Sequence, residues 1–231
     1  MKKLILNFNS KDSKKIKNPK NFLGGKGANL SEMGRMGLPV PPGFTISTKV
    51  CEIFYKDKKK LNKNLISQIK KELKLIEKDV SKKFGDLKNP LLLSVRSGAR
   101  VSMPGMMDTI LNLGLNDKTV KALAIKTSNG RFAKDSYRRF IQMYGNVVMG
   151  VEGYHFEELI ENYKLTKGVL LDTDLDESDW DGLIEDFKRT VREKAKKDFP
   201  QDVYEQLLGA ISAVFLSWES NRAKVYRKLN Q

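Results

Sequence analysis

The sequence predicts an α+β fold, in which an α/β front half is followed by a mostly helical back half. Three β-prone runs, at residues 4–8, 44–47 and 91–95, all lie in the front half. The third run is apolar throughout, which favours a central strand that is buried on both faces. Beyond Gly114, apolar residues recur at three- and four-residue spacing over long stretches, which indicates packed helices.

The front-half elements are justified by periodicity and by the residues that end them. Glycine and proline do not continue a helix, so Gly37, Gly85 and Pro90 mark ends. In chain order we predict a strand at 4–8, a polar loop to 20, a helix at 28–36, a proline-rich connector at 38–43, a strand at 44–47, a helix at 49–55 capped by Thr48, a helix at 61–84 and the strand at 91–95.

The back half is predicted as five helices, at about 117–127, 131–149, 154–163, 178–198 and 202–229. The fourth begins with Ser178 and Asp179 and ends in lysines, as the helix dipole favours. In the second, six large apolar side chains follow helical spacing and are expected to be mostly buried: Phe132, Tyr137, Phe140, Ile141, Tyr144 and Val148.

Composition excludes several classes of protein. The chain has 231 residues with one cysteine, Cys51, and one histidine, His155, so a disulfide framework, a multi-cysteine zinc site and a His-rich metal cluster are excluded. A Ser-His-Asp or Cys-His triad is disfavoured for the same reason. No window reaches the ~18–20 apolar residues of a membrane span. The first apolar run stops at Asn7 without a cleavage site, so we expect a cytoplasmic protein.

The positive charge is concentrated at the front. Residues 1–90 carry 22 Lys and Arg against 8 Asp and Glu, whereas residues 91–231 carry 21 against 20. All but Arg35 of those 22 are lysines, and no aromatic residues are interleaved in the run from Lys56 to Lys63. Base reading and stacking favour arginine, so a solvated lysine surface is favoured over nucleic-acid binding.

A first glycine loop, Leu23–Leu30, precedes the predicted helix. Gly24, Gly25 and Gly27 allow close backbone approach, and a helix start offers N–H groups to an anion, with Lys26 as a cation beside a phosphate. The spacing matches neither a Walker A loop nor a dinucleotide fingerprint. A plain glycine-rich turn with a solvated lysine is the alternative.

A second loop, 97–109, follows the apolar strand, where open α/β folds place ligand contacts. Arg96 at the strand end could grip phosphate oxygens, and the loop supplies backbone donors and hydroxyls. Its methionines, Met103, Met106 and Met107, indicate either core filling or a mobile lid over a ligand. Asp108 is either a magnesium ligand or a loop cap.

These segments resemble one family over essentially the whole chain. FLGGKGANLSEMGRMGLPVPPGFTIST and LLLSVRSGARVSMPGMMDTILNLGLND closely resemble the N-terminal part of the pyruvate, phosphate dikinase family. Further matches are RFAKDSYRRFIQMYGNVVMGV and FPQDVYEQLLGAISAVFLSWESNRAKVYRKLN, with 51–88 the least specific stretch. The related phosphoenolpyruvate synthases have an acidic loop where this chain has SMPGMMDTILNLG.

The resemblance implies the first lobe of an ATP-grasp nucleotide-binding domain with a mostly helical inserted subdomain. The implied parts are an α/β lobe at 1–114, with a helical excursion at about 51–88, a helical subdomain at 115–198, and a helix at 199–231 returning to the lobe. Lys26 and Arg96 are the implied catalytic residues, touching the ATP phosphates. The implied ATP-contacting residues are Gly24, Gly25, Lys26, Gly27, Arg96, Ser97, Gly98, Ser102, Gly105, Asp108 and Thr109.

In the resembled family, ATP, phosphate and pyruvate become AMP, pyrophosphate and phosphoenolpyruvate through a phosphohistidine carrier. This chain ends where the family continues into a second lobe, which brings the Mg²⁺ ligands, and into carrier and pyruvate-binding domains. We therefore assign no metal ligand here, expect homodimerisation only through those domains, and expect no complete reaction from this chain alone. The alternatives are a noncatalytic interaction module with the same fold and a phosphoenolpyruvate synthase-like ATP-binding lobe.

Overall fold

The computed structural model describes residues 4–9, 15–98 and 109–229, which mix helices with short two-stranded sheets and belong to the α+β class. The chain divides into two compact units. Unit 1 comprises Met1–Ser81, Arg96–Thr109 and Val214–Gln231, and unit 2 comprises Lys82–Val95 and Ile110–Ala213. The predicted inserted subdomain, 115–198, lies within unit 2, as do residues 199–213.

Unit 1 is built on an antiparallel pair of strands that carries the first helix. Strands β1 (Ile5–Asn7) and β2 (Phe44–Ile46) pair with Leu6 opposite Thr45. Leu6 is buried against Leu23 and Ala28 of α1. The helices of this unit are α1 (Pro19–Arg35), α2 (Thr48–Lys56), α3 (Lys63–Val80) and α9 (Asn221–Leu229), with the end of α8 (Val203–Ser217).

Unit 2 is mainly helical. The remaining elements are β3 (Lys83–Phe84), β4 (Pro90–Leu91), β5 (Leu93–Arg96), β6 (Thr109–Leu113), α4 (Thr119–Thr127), α5 (Gly130–Val147), α6 (Tyr154–Lys167), a 3₁₀ helix (Asp172–Asp174) and α7 (Glu177–Ala195). Strands β3 and β4 are parallel, and β5 pairs with β6. The longest helices of the unit, α5 and α7, pack side by side and bury Tyr137, Phe140, Trp180 and Phe187 almost completely.

Phe199 joins α5 to the start of α8. Its ring lies 5.6 Å from those of Phe140 and Tyr144 and 6.2 Å from that of Tyr137, all in edge-to-face arrangements. Edge-to-face pairs add specific attraction to the burial of the rings. This four-ring cluster therefore packs the segment that precedes α8 against α5.

Four of the predicted helices beyond Gly114 are confirmed with shifted ends, but the fifth is wrong. The run 202–229 forms two helices, α8 and α9, separated by a turn at Trp218–Ser220. The Ser220 side chain accepts a hydrogen bond from the Ala223 N–H, at 3.2 Å, and so caps a new helix start. The predicted helix 61–84 likewise ends at Val80, because Ser81 is left-handed and Phe84 enters β3.

The prediction of a central strand buried on both faces at 91–95 is wrong. The run divides between β4 and β5, and within β5 the residues alternate between half-buried and exposed, with Ser94 and Arg96 exposed. Alternation with a period of two is the pattern of a strand with only one covered face. The apolar sequence pattern of 91–95 therefore did not show that the strand partner changes at Leu92, from β3 before it to β6 after it.

The predicted apolar face of α5 is confirmed for four of its six residues. Tyr137, Phe140, Ile141 and Tyr144 are buried, but Phe132 is 48% exposed and Val148 is half-buried. Ala133 rather than Phe132 lies four residues before Tyr137 and is fully buried. One residue is a rotation of ~100° around a helix, so Phe132 turns away from the core.

Candidate functional site

The first glycine loop lies inside helix α1, which is interrupted at Gly24. Gly24 has φ 73° and ψ 171°, a conformation that is essentially restricted to glycine. The helix therefore starts again at Gly25, and the N–H groups of its new first turn lose the acceptors that a continuous helix would give them. The Asn18 side chain caps the preceding piece by accepting from the Asn21 N–H, at 3.2 Å.

After the break at Gly24, the side chain of Lys26 faces solvent and the backbone of Gly27 packs against strand β2. Lys26 is exposed, whereas Gly24 and Gly27 are buried. A Cβ at Gly27 would lie 2.8 Å from both Cγ2 and Oγ1 of Thr45, so only glycine allows this approach to β2. The Thr48 hydroxyl donates to the Asn21 carbonyl, at 2.6 Å, and fastens the piece before the break to α2.

The start of the second loop lies against this same segment. A Cβ at Gly98 would lie 3.6 Å from the Leu23 carbonyl oxygen, 3.8 Å from the Gly27 nitrogen and 3.9 Å from the Lys26 Cβ. A side chain at position 98 would therefore touch the backbone of a glycine-rich segment about 70 positions earlier in the chain. This approach brings both segments to the helix restart.

The other predicted residues of the second loop occupy its two ends or fall outside the described residues. Arg96, the last residue of β5, is exposed, and Ser97 is 8% exposed. Thr109, the first residue of β6, is exposed. The predicted contacts Ser102, Gly105 and Asp108, and the methionines Met103, Met106 and Met107, lie outside the residues that the structure describes.

Lys26 and Arg96 differ from the buried cations of unit 2 in their surroundings. Arg138 and Lys164 each have a carboxylate oxygen within 3.2 Å. Within residues 4–9, 15–98 and 109–229, no carboxylate forms an ion pair with Lys26 or Arg96. Backbone N–H groups at a helix start, with exposed cations beside them, can bind the oxygens of a multivalent anion. That the two side chains grip a single anion stays a prediction.

Metal and membrane sites find no support among the described residues. No three His, Cys, Asp or Glu side chains in that part of the chain are grouped as a metal site would require. No helix there is long and apolar enough to cross a membrane. His155 lies at the start of α6, where its ring stacks 4.0 Å from that of Tyr154.

Cys51, on α2, is unsuited to nucleophilic chemistry. Burial, with the nearby negative charges of Glu52 and Glu219, raises the pKa of its thiol to about 11. At pH 8 only about a thousandth of such a thiol is ionised, compared with about a quarter for a free cysteine of pKa ~8.5.

We therefore expect iodoacetamide to alkylate Cys51 at least about a hundredfold more slowly than a free thiol at pH 8, because only the thiolate reacts. The rate should rise about tenfold per pH unit up to pH ~10. Mass spectrometry of timed aliquots measures it, and the same chain in guanidinium chloride is the control. Equal rates in the folded and unfolded chains would contradict the effect of burial.

Comparison with known proteins places these features in one family. The family model described as "Pyruvate phosphate dikinase, AMP/ATP-binding domain" matches residues 20–66 and 59–231. Pyruvate, phosphate dikinase of Clostridium symbiosum is 53% identical over 91% of this chain, and the chloroplastic enzyme of Flaveria pringlei is 52% identical over all of it. The Rhizobium meliloti enzyme is 48% identical over the whole chain. These matches cover 24–26% of the relatives' own length, so the chain spans about a quarter of each.

Sequence reasoning found the glycine loops but missed the neighbours that hold them. Neither the contact of Thr45 with Gly27 nor that of Gly98 with the Leu23 carbonyl was predicted. Strand β6 was also missed, because Thr109–Leu113 lacks a regular alternation of apolar and polar residues: Ile110 and Leu111 are adjacent apolar residues. The β-branched Thr109 and Ile110 were the available signal for a strand there.

Proposed function

Because the chain belongs to the pyruvate phosphate dikinase AMP/ATP-binding domain family, we propose that its two glycine-rich segments bind the phosphates of ATP. The observation that carries the proposal is the close approach of Gly98 to Lys26 and Gly27, next to the break in α1 at Gly24. Family membership supports the ligand class, and this proximity supports the proposed location of the site on the chain.

In this proposal each segment supplies a different kind of contact. The backbone of Gly24, Gly25 and Gly27 donates N–H groups to phosphate oxygens, and the Lys26 ammonium neutralises their charge. Arg96 grips the polyphosphate chain with its planar guanidinium and stabilises the charge that develops during phosphoryl transfer. In this proposal the second loop closes over the terminal phosphates and completes the site. Its proposed contacts are Ser97, Gly98, Ser102, Gly105, Asp108 and Thr109.

We propose that the chain forms the first lobe of an ATP-grasp domain, with a helical subdomain at 115–198 inserted into a lobe formed by 1–114 and 199–231. Unit 2 contains this subdomain together with residues 82–95, 110–114 and 199–213. The distribution of elements supports this assignment: the strands of the described residues lie within 5–113, and the described residues that follow form helices and turns. Mg²⁺ would accompany ATP, with carboxylate ligands supplied mainly by a second lobe beyond these residues. The Mg²⁺ charge would neutralise the phosphates during transfer.

The complete activity belongs to a longer protein in this proposal. The full-length protein that contains this chain would convert ATP, phosphate and pyruvate to AMP, pyrophosphate and phosphoenolpyruvate in the cytoplasm, as a homodimer. The chain covers about a quarter of such relatives, and its one histidine stacks on Tyr154.

ATP binding is the experiment that tests the proposal. Equilibrium dialysis of the purified chain against radiolabelled ATP with Mg²⁺ should show saturable binding that unlabelled ATP and tripolyphosphate both displace. Displacement by tripolyphosphate identifies the phosphates as the recognised group. No saturable binding, in a sample whose circular dichroism shows folded helices, would favour a noncatalytic interaction module instead.

Incubation with ATP, phosphate and pyruvate should yield no AMP and no phosphoenolpyruvate above a protein-free control, because no carrier histidine is assigned in this chain. Chromatography of nucleotides and a coupled phosphoenolpyruvate assay measure the two products. Formation of both products in equal amounts would show that the chain is catalytically complete and would overturn this part of the proposal.

A further inference from the structure

The contact between Thr45 and Gly27 links the sheet of unit 1 to the glycine segment. Both branches of the Thr45 side chain, Cγ2 and Oγ1, lie 2.8 Å from the point that a Cβ on Gly27 would occupy. Real Cβ atoms do not approach other atoms so closely. The side chain of Thr45 therefore occupies the space in which any other residue at position 27 would place its first carbon.

The position of Thr45 is fixed by its strand. It is the middle residue of β2 and pairs with Leu6 of β1, whose side chain is buried against Leu23 and Ala28 of α1. A β-branched side chain on a paired strand has restricted χ1 freedom. Thr45 thus presents a rigid surface to α1 at the first turn after the break at Gly24.

Gly27 also faces the second loop, because a Cβ on Gly98 would lie 3.8 Å from its nitrogen. A displacement of Gly27 away from Thr45 would therefore move the N–H groups of the restarted helix and its neighbour Lys26. We propose that Thr45 is a positioning residue for nucleotide binding, and that the packing of its side chain on Gly27 sets the place of the phosphate-binding backbone. This inference rests on the proposed function.

Shape rather than hydrogen bonding carries the effect. In the part of the chain that the structure describes, the Thr45 hydroxyl has no hydrogen-bond partner. Valine has the same branched shape without the hydroxyl, so Thr45→Val should keep ATP affinity within about twofold of that of the unchanged chain. A role for the hydroxyl as a phosphate donor predicts instead that Thr45→Ser keeps affinity and Thr45→Val loses it.

A pair of substitutions that exchange volume tests the contact. Gly27→Ala should weaken ATP binding at least about tenfold, because its Cβ pushes the backbone off Thr45, although alanine favours a helix. Thr45→Ala removes both clashing atoms and should weaken binding about threefold or more by leaving the segment unsupported. In the double variant the Cβ at 27 enters the vacated space, although Leu23 Cβ remains close to it, at 3.2 Å. Its ATP affinity should be at least about threefold higher than that of Gly27→Ala.

Gly34→Ala is the matched control. Gly34 lies two turns further along α1, and its added Cβ would meet the Asn9 side chain at 2.5 Å and the Phe8 carbonyl oxygen at 3.2 Å. It should lower the melting temperature while leaving ATP affinity unchanged. Two measurements are made on each variant: equilibrium dialysis with ATP and Mg²⁺, and the amide resonances of Gly25, Lys26 and Gly27 without nucleotide.

The outcomes separate the two proposals. If the unchanged chain binds no ATP, the proposed function fails and the positioning role fails with it. If the unchanged chain binds ATP but the double variant binds no better than Gly27→Ala, or Gly34→Ala weakens binding equally, the proposed function stands and the positioning role is overturned. Recovery in the double variant, with amide shifts confined to Gly25–Gly27 in the single variants, supports the positioning role.

Discussion

Replacement of Arg96 or Lys26 by alanine should weaken ATP binding by this chain about ten- to hundredfold, which corresponds to about 1.5–3 kcal/mol for a charged hydrogen bond. Both side chains are exposed and form no ion pair with a carboxylate of the described residues, so their charge is available to an anion. Equilibrium dialysis with ATP and Mg²⁺ measures the loss. In a longer family member, the same changes should cost about 2–4 kcal/mol in the nucleotide half-reaction and much less in the pyruvate half-reaction.

Lys20→Ala is the control for general electrostatics. Lys20 is exposed on the same helix, before the break at Gly24, and its replacement removes the same unit charge. It should change ATP affinity less than about twofold at physiological ionic strength, where exposed charges beyond ~8 Å are screened. If Lys20→Ala weakened binding as much as Lys26→Ala did, the measured losses would reflect net charge and the assigned contacts would be wrong.

Phe199→Ala should lower the free energy of unfolding by about 3–5 kcal/mol, the usual cost of deleting a buried aromatic side chain. Phe199 is 4% exposed and touches the rings of Tyr137, Phe140 and Tyr144 edge-to-face. Its removal leaves a cavity and loses three aromatic contacts at once. Urea unfolding followed by circular dichroism measures the loss.

Phe132→Ala is the matched control, since it also replaces a phenylalanine by alanine, but at a position on α5 that is 48% exposed. It should cost less than about 1 kcal/mol, because little apolar surface is returned to water. Equal losses for the two variants would contradict the stabilising role of the four-ring cluster.

Local patterns in the sequence predicted the long helices and the family, because both depend on residues close together in the chain. Helix α5 follows its apolar spacing. Helix α7 begins at Glu177, one residue before the predicted start at Ser178, and its N-cap is Asp176, whose carboxylate accepts from the N–H groups of Ser178 and Asp179. Tertiary context decided the failures. The apolar letters of 91–95 could not reveal that β4 and β5 have different partners, and a continuous helical pattern hid the Ser220 cap.

The sequence predicted that the first loop depends on glycine backbone but not how that backbone folds. The letters LGGKG predicted glycine-dependent backbone near a cation, without indicating which glycine interrupts the helix. The approach of Gly98 to Gly27 depends on how two distant segments pack, and spacing along the chain carries no signal for that. The role of Thr45 was not predicted for the same reason. A threonine between Phe44 and Ile46 is an ordinary residue of a β-strand, so the sequence does not show that its side chain packs on Gly27.

The backbone angles of Gly24 have a consequence for which genetic changes this chain can tolerate. Every single-nucleotide missense change of a glycine codon introduces a residue with a Cβ, and no such residue adopts φ 73° with ψ 171° without strain. Gly168, which ends α6 at φ 71° and ψ 32°, is in the left-handed region that asparagine also enters, and nothing lies within 4 Å of its Cβ position. In a library of all substitutions selected for ATP binding, position 24 should therefore retain glycine alone, whereas position 168 should accept asparagine.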